Sequence, residues 1–245
     1  MSLERMDASG AIEPLPWDSG FFGISIARAR PASREDVEVV LERALDARVR
    51  CLYALTPGDA RDALAALAAN PVCRCVDLRL TLTRDAPAHY ASLRTGAFDA
   101  SVTSSELAQL EAIAARAHVD SRFFLDEGFH DGRCEDLYRT WIRKSIEGRA
   151  QHVLVARLGG EAVGYITLHE SQGVGSIGLV ALAEHARGHG LGSAMMRESL
   201  AWFAERGLER LEVVTQGRNV AAQRLYQASG FRTSRAESWF HCWLS

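Results

Sequence analysis

The sequence lacks three features that would each define a class of protein. Its five cysteines are odd in number, irregularly spaced and free of any Cys-x-x-Cys pair, which is not the pattern of a secreted disulfide scaffold or a zinc knuckle. No apolar run approaches the roughly 20 residues of a membrane span. Basic residues are not in excess, since 28 Lys and Arg face 31 Asp and Glu for a net charge of −3. We therefore expect no metal, no membrane partner and no nucleic acid partner.

The cysteines and the N-terminus indicate a reducing compartment. Cys73 and Cys75 are one residue apart in an alternating segment, so we expect two small thiols packed on one face of a strand. The first seven residues include acidic residues and have no apolar core, unlike a signal peptide. We predict a cytoplasmic protein.

The first 95 residues alternate between strand and helix patterns. Strands are predicted at 24–30, 49–55 and 72–83, with helices at 34–47 and 59–69 between them. Ser33 and Asp36 have the spacing of a capping box at the start of the first helix. This pattern is sufficient for a small α/β sheet of its own, and the stretch 84–96 is the predicted boundary between a domain at 1–95 and a second at 96–245.

The second half contains helices first and strands later. Helices are predicted at 104–118 and 134–147, followed by a hairpin in which Gly159 and Gly160 form the two-residue turn. Strands at 175–182 and 211–215 each lead into a helix, at 190–206 and 219–228, and residues 231–244 end the chain as one or two strands. The fold class is therefore mixed α/β (α+β).

Glycines fill the junction between the strand ending at Leu182 and the helix starting near Gly190. They allow the backbone to approach a ligand closely, and the free N–H groups and positive dipole end of the helix favour an anion such as a pyrophosphate. No Gly-Lys-Ser/Thr closes the loop, so it is not a Walker A motif, and the glycines lack the spacing of a dinucleotide fingerprint.

The motif Arg187-x-x-Gly190-x-Gly192 resembles the signature of the GCN5-related N-acetyltransferase (GNAT) superfamily. The resemblance implies a central, mostly antiparallel sheet flanked by helices, preceded here by a smaller N-terminal α/β domain. It also implies an enzyme whose loop and helix start bind the pyrophosphate of acetyl-CoA as co-substrate. The residues implicated in cofactor binding are Val180, Ala181, Leu182, Arg187, Gly188, His189, Gly190, Leu191, Gly192, Ser193 and Asn219.

Two further residues match the same superfamily. Asn219 and Tyr226 are seven residues apart, about two helical turns, so their side chains face the same way. The ending Tyr226-x-x-x-Gly230-Phe231 also matches. The resemblance implies Asn219 near the pantetheine arm and Tyr226 as the general acid that protonates the departing thiolate, while a backbone N–H within 180–182 polarises the thioester. The alternative is a Tyr226 hydroxyl that only forms a hydrogen bond at the helix surface.

A narrower resemblance concerns the acceptor. The opening Trp17-Asp18-Ser19-Gly20-Phe21-Phe22-Gly23 resembles that of the dTDP-fucosamine acetyltransferase group, as do Ser121-Arg122-Phe123 and Trp141-Ile142. It implies acetyl transfer to the amine of a nucleotide-linked deoxyamino sugar, a small-molecule acceptor. The alternatives are another amine (a protein N-terminus, a polyamine or an antibiotic) and a non-catalytic acyl-CoA-binding module. Dimers are common in the superfamily, so the resemblance also implies that a homodimer is possible. The sequence itself contains no coiled-coil heptad pattern that would support one.

Other candidate residues stay open. The general base is not assigned, with His169, Glu170, Glu184 and His185 as candidates at strand ends. His189 is expected to contribute its backbone N–H rather than its imidazole. The aromatic and acidic residues at 17–22 either contact the acceptor or anchor the N-terminus to the core.

Overall fold

The computed structural model describes residues 10–87, 89–90, 101–130 and 132–244. Within these ranges the strands form one nine-stranded mixed sheet in the order β1-β2-β3-β9-β4-β8-β7-β6-β5. The strands are β1 Ile12–Pro14, β2 Ile26–Ala29, β3 Cys51–Pro57, β4 Cys73–Asp85, β5 His152–Leu158, β6 Glu161–Ser171, β7 Val174–Leu182, β8 Arg210–Gln216 and β9 Arg232–Trp243. The helices are α1 Pro16–Phe22, α2 Arg34–Asp46, α3 Arg61–Ala69, α4 Ser104–Ala117, α5 Arg133–Lys144, α6 Leu191–Glu205 and α7 Val220–Ala228.

Local sequence signals explain several element boundaries. The Ser33 side chain accepts from the Asp36 N–H while the Asp36 carboxylate accepts from the Ser33 N–H, so the predicted capping box is confirmed. Gly159 and Gly160 both have positive φ, as the predicted hairpin turn between β5 and β6 requires. The C-terminal segment forms one long strand, β9. Helix α5 ends at Lys144 and is followed by a π-helical turn, in which Gly148 has a φ of 106°.

The expectation of a separate small sheet in the first segment is wrong. Strand β4 lies between β9 and β8, and it pairs antiparallel with both. The long alternation from Cys73 to Asp85 provides two full hydrogen-bonding edges, and each edge is used by a strand of the second half. The division at 95/96 lies outside the described residues, as does the expected absence of a signal peptide at 1–7, and both remain predictions.

Helices cover the sheet on two faces. Helices α2, α3, α6 and α7 pack on one face, against side chains such as Leu52 of β3 and Leu82 of β4. Helices α1, α4 and α5 pack on the other, against Tyr53 of β3 and Ala181 of β7. We call these the α6–α7 face and the α4–α5 face. Because side chains alternate along a strand, each strand presents consecutive residues to opposite faces.

The cysteines differ from expectation. Cys73 lies directly opposite Cys242 on the neighbouring strand β9, and the two form a disulfide. Cys75 is exposed. The expectation of two packed free thiols is therefore wrong, because the register of β4 and β9 brings together two cysteines 169 residues apart.

Candidate functional site

A gap opens in the sheet between the parallel strands β7 and β8. They pair from Val174 opposite Arg210 to Ile177 opposite Val213, and beyond that point they are no longer paired. The register of β7 against β6 shifts at the same place, and the Leu179 N–H donates to the Thr167 hydroxyl at 2.8 Å. This bulge turns β7 away from β8, and residues 180–182 lie on the part of β7 that no longer pairs with β8.

The glycine-rich loop leads from this opening into the N-terminus of α6. Gly188 and Gly190 have φ of 80° and 76°, which L-residues rarely adopt. The first backbone bond of the helix is from Ala194 N–H to the Gly190 carbonyl, so Leu191, Gly192 and Ser193 have amides that no helical carbonyl accepts. The first turn holds no acidic residue and no side-chain cap. The loop therefore ends in an open set of donors at a positive dipole end.

Side chains in the loop stabilise its own backbone. Arg187 Nε donates to the Leu182 carbonyl at 3.3 Å. His189 Nδ1 lies 2.8 Å from the Arg187 carbonyl, so the imidazole bonds within the loop. Helix α7 begins beside it: Asn219 Oδ1 accepts from the Ala222 N–H at 3.0 Å, which uses the side-chain oxygen as an N-cap.

Tyr226 lies on the same side of the sheet as this loop. It belongs to the core cluster of the α6–α7 face together with Val180 and Leu182, and its ring contacts Phe231. Its side chain is 4% exposed, and this burial raises the pKa of the phenol.

A cavity of about 640 Å³ lies between α4 and the end of β7. Of the open base candidates, Glu184 and His185 line it, whereas His169 contacts the Thr167 hydroxyl and Glu170 pairs with Arg206 at 3.7 Å. The lining residues are Ala112, Ile113, Arg116, Ala117, Leu182, Ala183, Glu184, His185 and Arg187.

On the α4–α5 face, a second group of polar residues surrounds Arg122. Its guanidinium lies 4.1 Å from the Tyr53 ring, 4.3 Å from the Phe123 ring and 4.4 Å from the Trp239 ring. Arg122 Nη1 donates to His241 Nε2 at 2.6 Å, and His241 Nδ1 donates to the Asp126 carboxylate at 2.5 Å. Trp243 Nε1 donates to the same carboxylate.

The protonation of His241 follows from this geometry. Arginine has no acceptor, so Nε2 must be unprotonated and Nδ1 carries the hydrogen. Burial lowers the pKa of His241 to about 4, with Arg122 acting in the same direction, so the ring is neutral at pH 7. A neutral histidine held by Asp126 thus fixes one end of the Arg122 guanidinium.

Two carboxyl groups lie near Arg122. Burial raises the pKa of Asp18, while Arg122 opposes the shift. Burial raises the pKa of Asp77 to about 7, against the effects of Arg218 and Arg122. Asp77 is 5% exposed, and its Oδ1 has no hydrogen-bond partner among the described residues. We call Asp18, Tyr53, Asp77, Arg122, Trp239 and His241 the Arg122 cluster.

The sequence singled out few members of the Arg122 cluster. Ser121-Arg122-Phe123 and Asp18 belong to motifs that the sequence shows, but no spacing connects them with Asp77 or His241. Asp77 pairs with Trp239 across β4 and β9, a long-range register that periodicity does not reveal.

The aromatic motif at residues 17–22 anchors the N-terminal segment to the core through only some of its side chains. Phe22 packs against Phe123 and Phe129, with the Phe129 ring 4.4 Å away. Trp17 is 36% exposed, stacks on Phe21 and lies under the Lys144 ammonium. Anchoring thus accounts for Phe22, while Trp17 and Asp18 are left available to a ligand.

A strand pair that separates beside an uncapped, glycine-rich helix start offers a cleft whose end can bind an anionic group such as a pyrophosphate. The model of the acetyltransferase (GNAT) family matches residues 109–231, half of the chain, and the chain belongs to this family. It is an N-acetyltransferase. The resemblance and the fold class predicted from the sequence are thereby confirmed.

One relative matches over almost the whole chain. The dTDP-fucosamine acetyltransferase of Escherichia coli O6:H1 is 29% identical over 239 residues, covering 96% of this chain and all of the relative. The spore coat polysaccharide biosynthesis protein SpsD of Bacillus subtilis is 24% identical over 131 residues, 54% of this chain and 45% of that protein.

Two solved structures share the fold. The GCN5-related N-acetyltransferase of Sphaerobacter thermophilus has a TM-score of 0.62 at 15% identity, covering 94% of this chain and 75% of that one. The one from Kribbella flavida has a TM-score of 0.59 at 14% identity, covering 99% and 90%. In the described part of this chain, no helix is long and apolar enough to cross a membrane, and no cluster of His, Cys, Asp and Glu could hold a metal ion.

Proposed function

We propose that this enzyme transfers the acetyl group of acetyl-CoA to the amine of a nucleotide-linked deoxyamino sugar of the dTDP-4-amino-4,6-dideoxyhexose type. The observation that carries the proposal is the gap between β7 and β8, which has open helix amides and a buried tyrosine on the α6–α7 face. The Arg122 cluster lies on the opposite face of the same sheet. The relative from Escherichia coli, similar over its full length, supports the acceptor class.

Acetyl-CoA binds along β7 and the loop in this proposal. The amides of Leu191, Gly192 and Ser193 with Gly188 and His189 receive the pyrophosphate, since a helix N-terminus favours an anion. The backbone of 180–182 receives the pantetheine arm and polarises the thioester carbonyl through an N–H. Asn219 keeps its side-chain amide nitrogen for the same arm, because only its oxygen caps α7.

Tyr226 acts as the general acid. The amine attacks the thioester carbon, the new N–C bond forms and the C–S bond breaks, and the phenol donates its proton to the departing sulfur. Burial keeps the phenol protonated at pH 7, because it raises the pKa further above about 10. The proton lost by the nitrogen restores the phenol.

Charge on the α4–α5 face supports an anionic acceptor. The carboxylate of Glu237, which is 3% exposed, pairs with three arginines: Arg30 at 3.2 Å, Arg235 at 3.2 Å and Arg79. One carboxylate among three guanidinium groups leaves net positive charge. Glu237 and Trp239 are two residues apart on β9 and so share a face with the Arg122 cluster. A diphosphate-linked sugar matches this charge, whereas a cationic polyamine does not.

Acetylation of defined acceptors tests the proposal. Purified protein is mixed with acetyl-CoA and, separately, dTDP-4-amino-4,6-dideoxygalactose, its gluco epimer, spermidine, an aminoglycoside or a peptide, and thiol release is followed. We expect turnover with a nucleotide-linked sugar and little with the others. Turnover confined to the peptide, the polyamine or the antibiotic would contradict the acceptor class, and acetyl-CoA binding without any turnover would indicate a non-catalytic module.

A further inference from the structure

The Arg122 cluster contains polar atoms that the protein itself leaves unsatisfied. Besides Asp77 Oδ1, the hydroxyl of Tyr53 is fully buried and has no hydrogen-bond partner among the described residues. A buried polar atom without a partner costs about 1–3 kcal/mol of stability. Such atoms gathered around one fixed arginine indicate a site completed by a ligand.

Arg122 is built as a fixed anchor. In the part of the chain that the structure describes, its guanidinium forms a hydrogen bond to His241, through Nη1. Its other N–H groups remain as donors in a rigid planar fork. The rings of Tyr53 and Trp239 hold that plane, so little side-chain entropy is lost when a ligand oxygen binds.

Asp77 lies next to the segment that carries the proposed acid. The Leu78 carbonyl accepts from the Gly217 N–H at 2.6 Å, and Arg218 Nη2 donates to the Val76 carbonyl at 3.0 Å. Residues 217–219 join β8 to α7, which carries Tyr226. Asp77 faces the α4–α5 side with its cross-strand partner Trp239, while Tyr226 lies on the α6–α7 side. The two residues therefore lie on opposite faces of the sheet, and residues 217–219 connect them.

We propose that the Arg122 cluster is the acceptor subsite and that the Asp77 carboxylate is the base that removes a proton from the ammonium group of the amino sugar. Arg122 binds an oxygen of the sugar or its phosphate, and Asp126 and His241 are positioning residues that act through Arg122. This inference rests on the proposed function and adds the residues that recognise and deprotonate the acceptor.

The proton balance is complete without another reactant. The acceptor ammonium transfers one proton to Asp77 and becomes a neutral amine. After attack, the nitrogen loses a second proton, which replaces the one that Tyr226 gives to sulfur. Asp77 then releases its proton to water, so each turnover yields the amide, the free thiol and one proton.

The charged and titratable groups around Asp77 come from four elements. Cys75 lies on its own strand, Asp120 and Arg122 on the segment between α4 and α5, Tyr138 on α5 and Arg218 before α7. Burial raises the pKa of Asp77 most strongly, and the two arginines hold it near 7. A carboxyl group that titrates near the working pH suits general base catalysis.

The pH dependence of Asp77→Asn tests the inference, with Asp85→Asn as the matched control because Asp85 is an exposed carboxylate on the same strand. kcat/KM for the nucleotide sugar is measured from pH 5.5 to 9. The ratio of wild-type to variant values cancels the acceptor's own ionisation. We expect this ratio for Asp77→Asn to rise through pH 7 to about 10²-fold, with acetyl-CoA affinity unchanged. For Asp85→Asn it stays near one at every pH.

Other outcomes separate the two proposals. A ratio that is flat with pH, or an Asp77→Asn enzyme as active as wild type, overturns the inference and leaves the proposed function standing. A wild-type protein that binds acetyl-CoA but acetylates no nucleotide sugar overturns both. If Asp77→Asn does not fold, Asp77→Glu replaces it. An apparent pKa in the kcat/KM profile that is still present but shifted supports Asp77 as the general base. An apparent pKa that is the same as in the wild type contradicts this role.

Discussion

Arg122 and His241 are 119 residues apart in the chain, yet Arg122 Nη1 lies 2.6 Å from His241 Nε2. The contact joins the segment between α4 and α5 to strand β9, and through Tyr53 it reaches strand β3 of the first segment. The first segment therefore contributes side chains directly to the proposed acceptor subsite. This contribution gives a physical reason for the strands that precede the segment matched by the family model.

Replacing Gly190 should weaken acetyl-CoA binding. Gly190→Ala forces an alanine into a φ of 76°, at a cost of about 1–2 kcal/mol, and shifts the amides at the start of α6. Gly207→Ala is the matched control, because Gly207 has a φ of 65° and lies just past the other end of the same helix. We expect calorimetry to show at least about a tenfold loss of affinity for Gly190→Ala, or about 1.4 kcal/mol.

Both glycine variants should lose similar stability to heat, so the comparison isolates the binding role of the loop. Equal acetyl-CoA affinity in the two variants would mean that the start of α6 does not receive the pyrophosphate.

Removal of the Tyr226 hydroxyl should slow the chemical step. Tyr226→Phe keeps the ring against Phe231, so thermal stability and acetyl-CoA affinity should hold. We expect kcat to fall by about 10²-fold or more, since general acid catalysis contributes that much. Stopped-flow thiol release measures it. An unchanged kcat would show that the Tyr226 hydroxyl is not the general acid and that the residue only packs in the core.

Asp77 should destabilise the fold at high pH. Its pKa is about 7 in the folded protein and 3.8 when unperturbed, so the folded state resists ionisation of this group. The destabilisation is absent below pH 3.8, grows as pH rises towards 7 and is complete above it. We measure the free energy of unfolding in urea for the wild type and for Asp77→Asn at pH 4 and at pH 8. We expect the change caused by the substitution to be more stabilising at pH 8 than at pH 4. Asp85→Asn should show no such difference, and an effect of Asp77→Asn that is equal at both pH values would refute the shift.

Loss of one surface arginine should affect the acceptor alone. Arg235 is the most exposed of the three arginines around Glu237, with 49% of its side chain accessible, so Arg235→Gln leaves Glu237 paired with Arg30 and Arg79. We expect the KM for the nucleotide sugar to rise a few-fold, while kcat and the KM for acetyl-CoA stay constant. Arg139→Gln is the control, because the Arg139 side chain on α5 is 43% accessible and pairs only with Asp136 of the same helix among the described residues. Identical kinetics of both variants would exclude a phosphate contact at Arg235.

Local signals in the sequence predict the helices and strands well. The pairing of strands that are distant in the chain could not be predicted from those signals. The box at Ser33 and the Gly159-Gly160 turn act within a few residues, so their outcomes are visible in the sequence. The insertion of β4 between β8 and β9 depends on which edges pair, and no periodicity encodes that choice. The same pairing hid the disulfide of Cys73 and Cys242 and the approach of Asp77 to Trp239.

The candidate site follows the same division. The loop at 187–193 is contiguous, so its glycine spacing could be read directly. The Arg122 cluster draws on α1, β3, β4, the segment before α5 and β9, and its residues become neighbours only in the folded sheet.

A structure with coenzyme A and the nucleotide-linked amino sugar bound together tests the central claim most directly. The account predicts the thiol in the gap beyond Ile177 and Val213, within hydrogen-bond distance of the Tyr226 hydroxyl. It predicts the sugar amine on the opposite face, in contact with the Asp77 carboxylate. A sugar bound on the α6–α7 face, or a thiol remote from Tyr226, would contradict it.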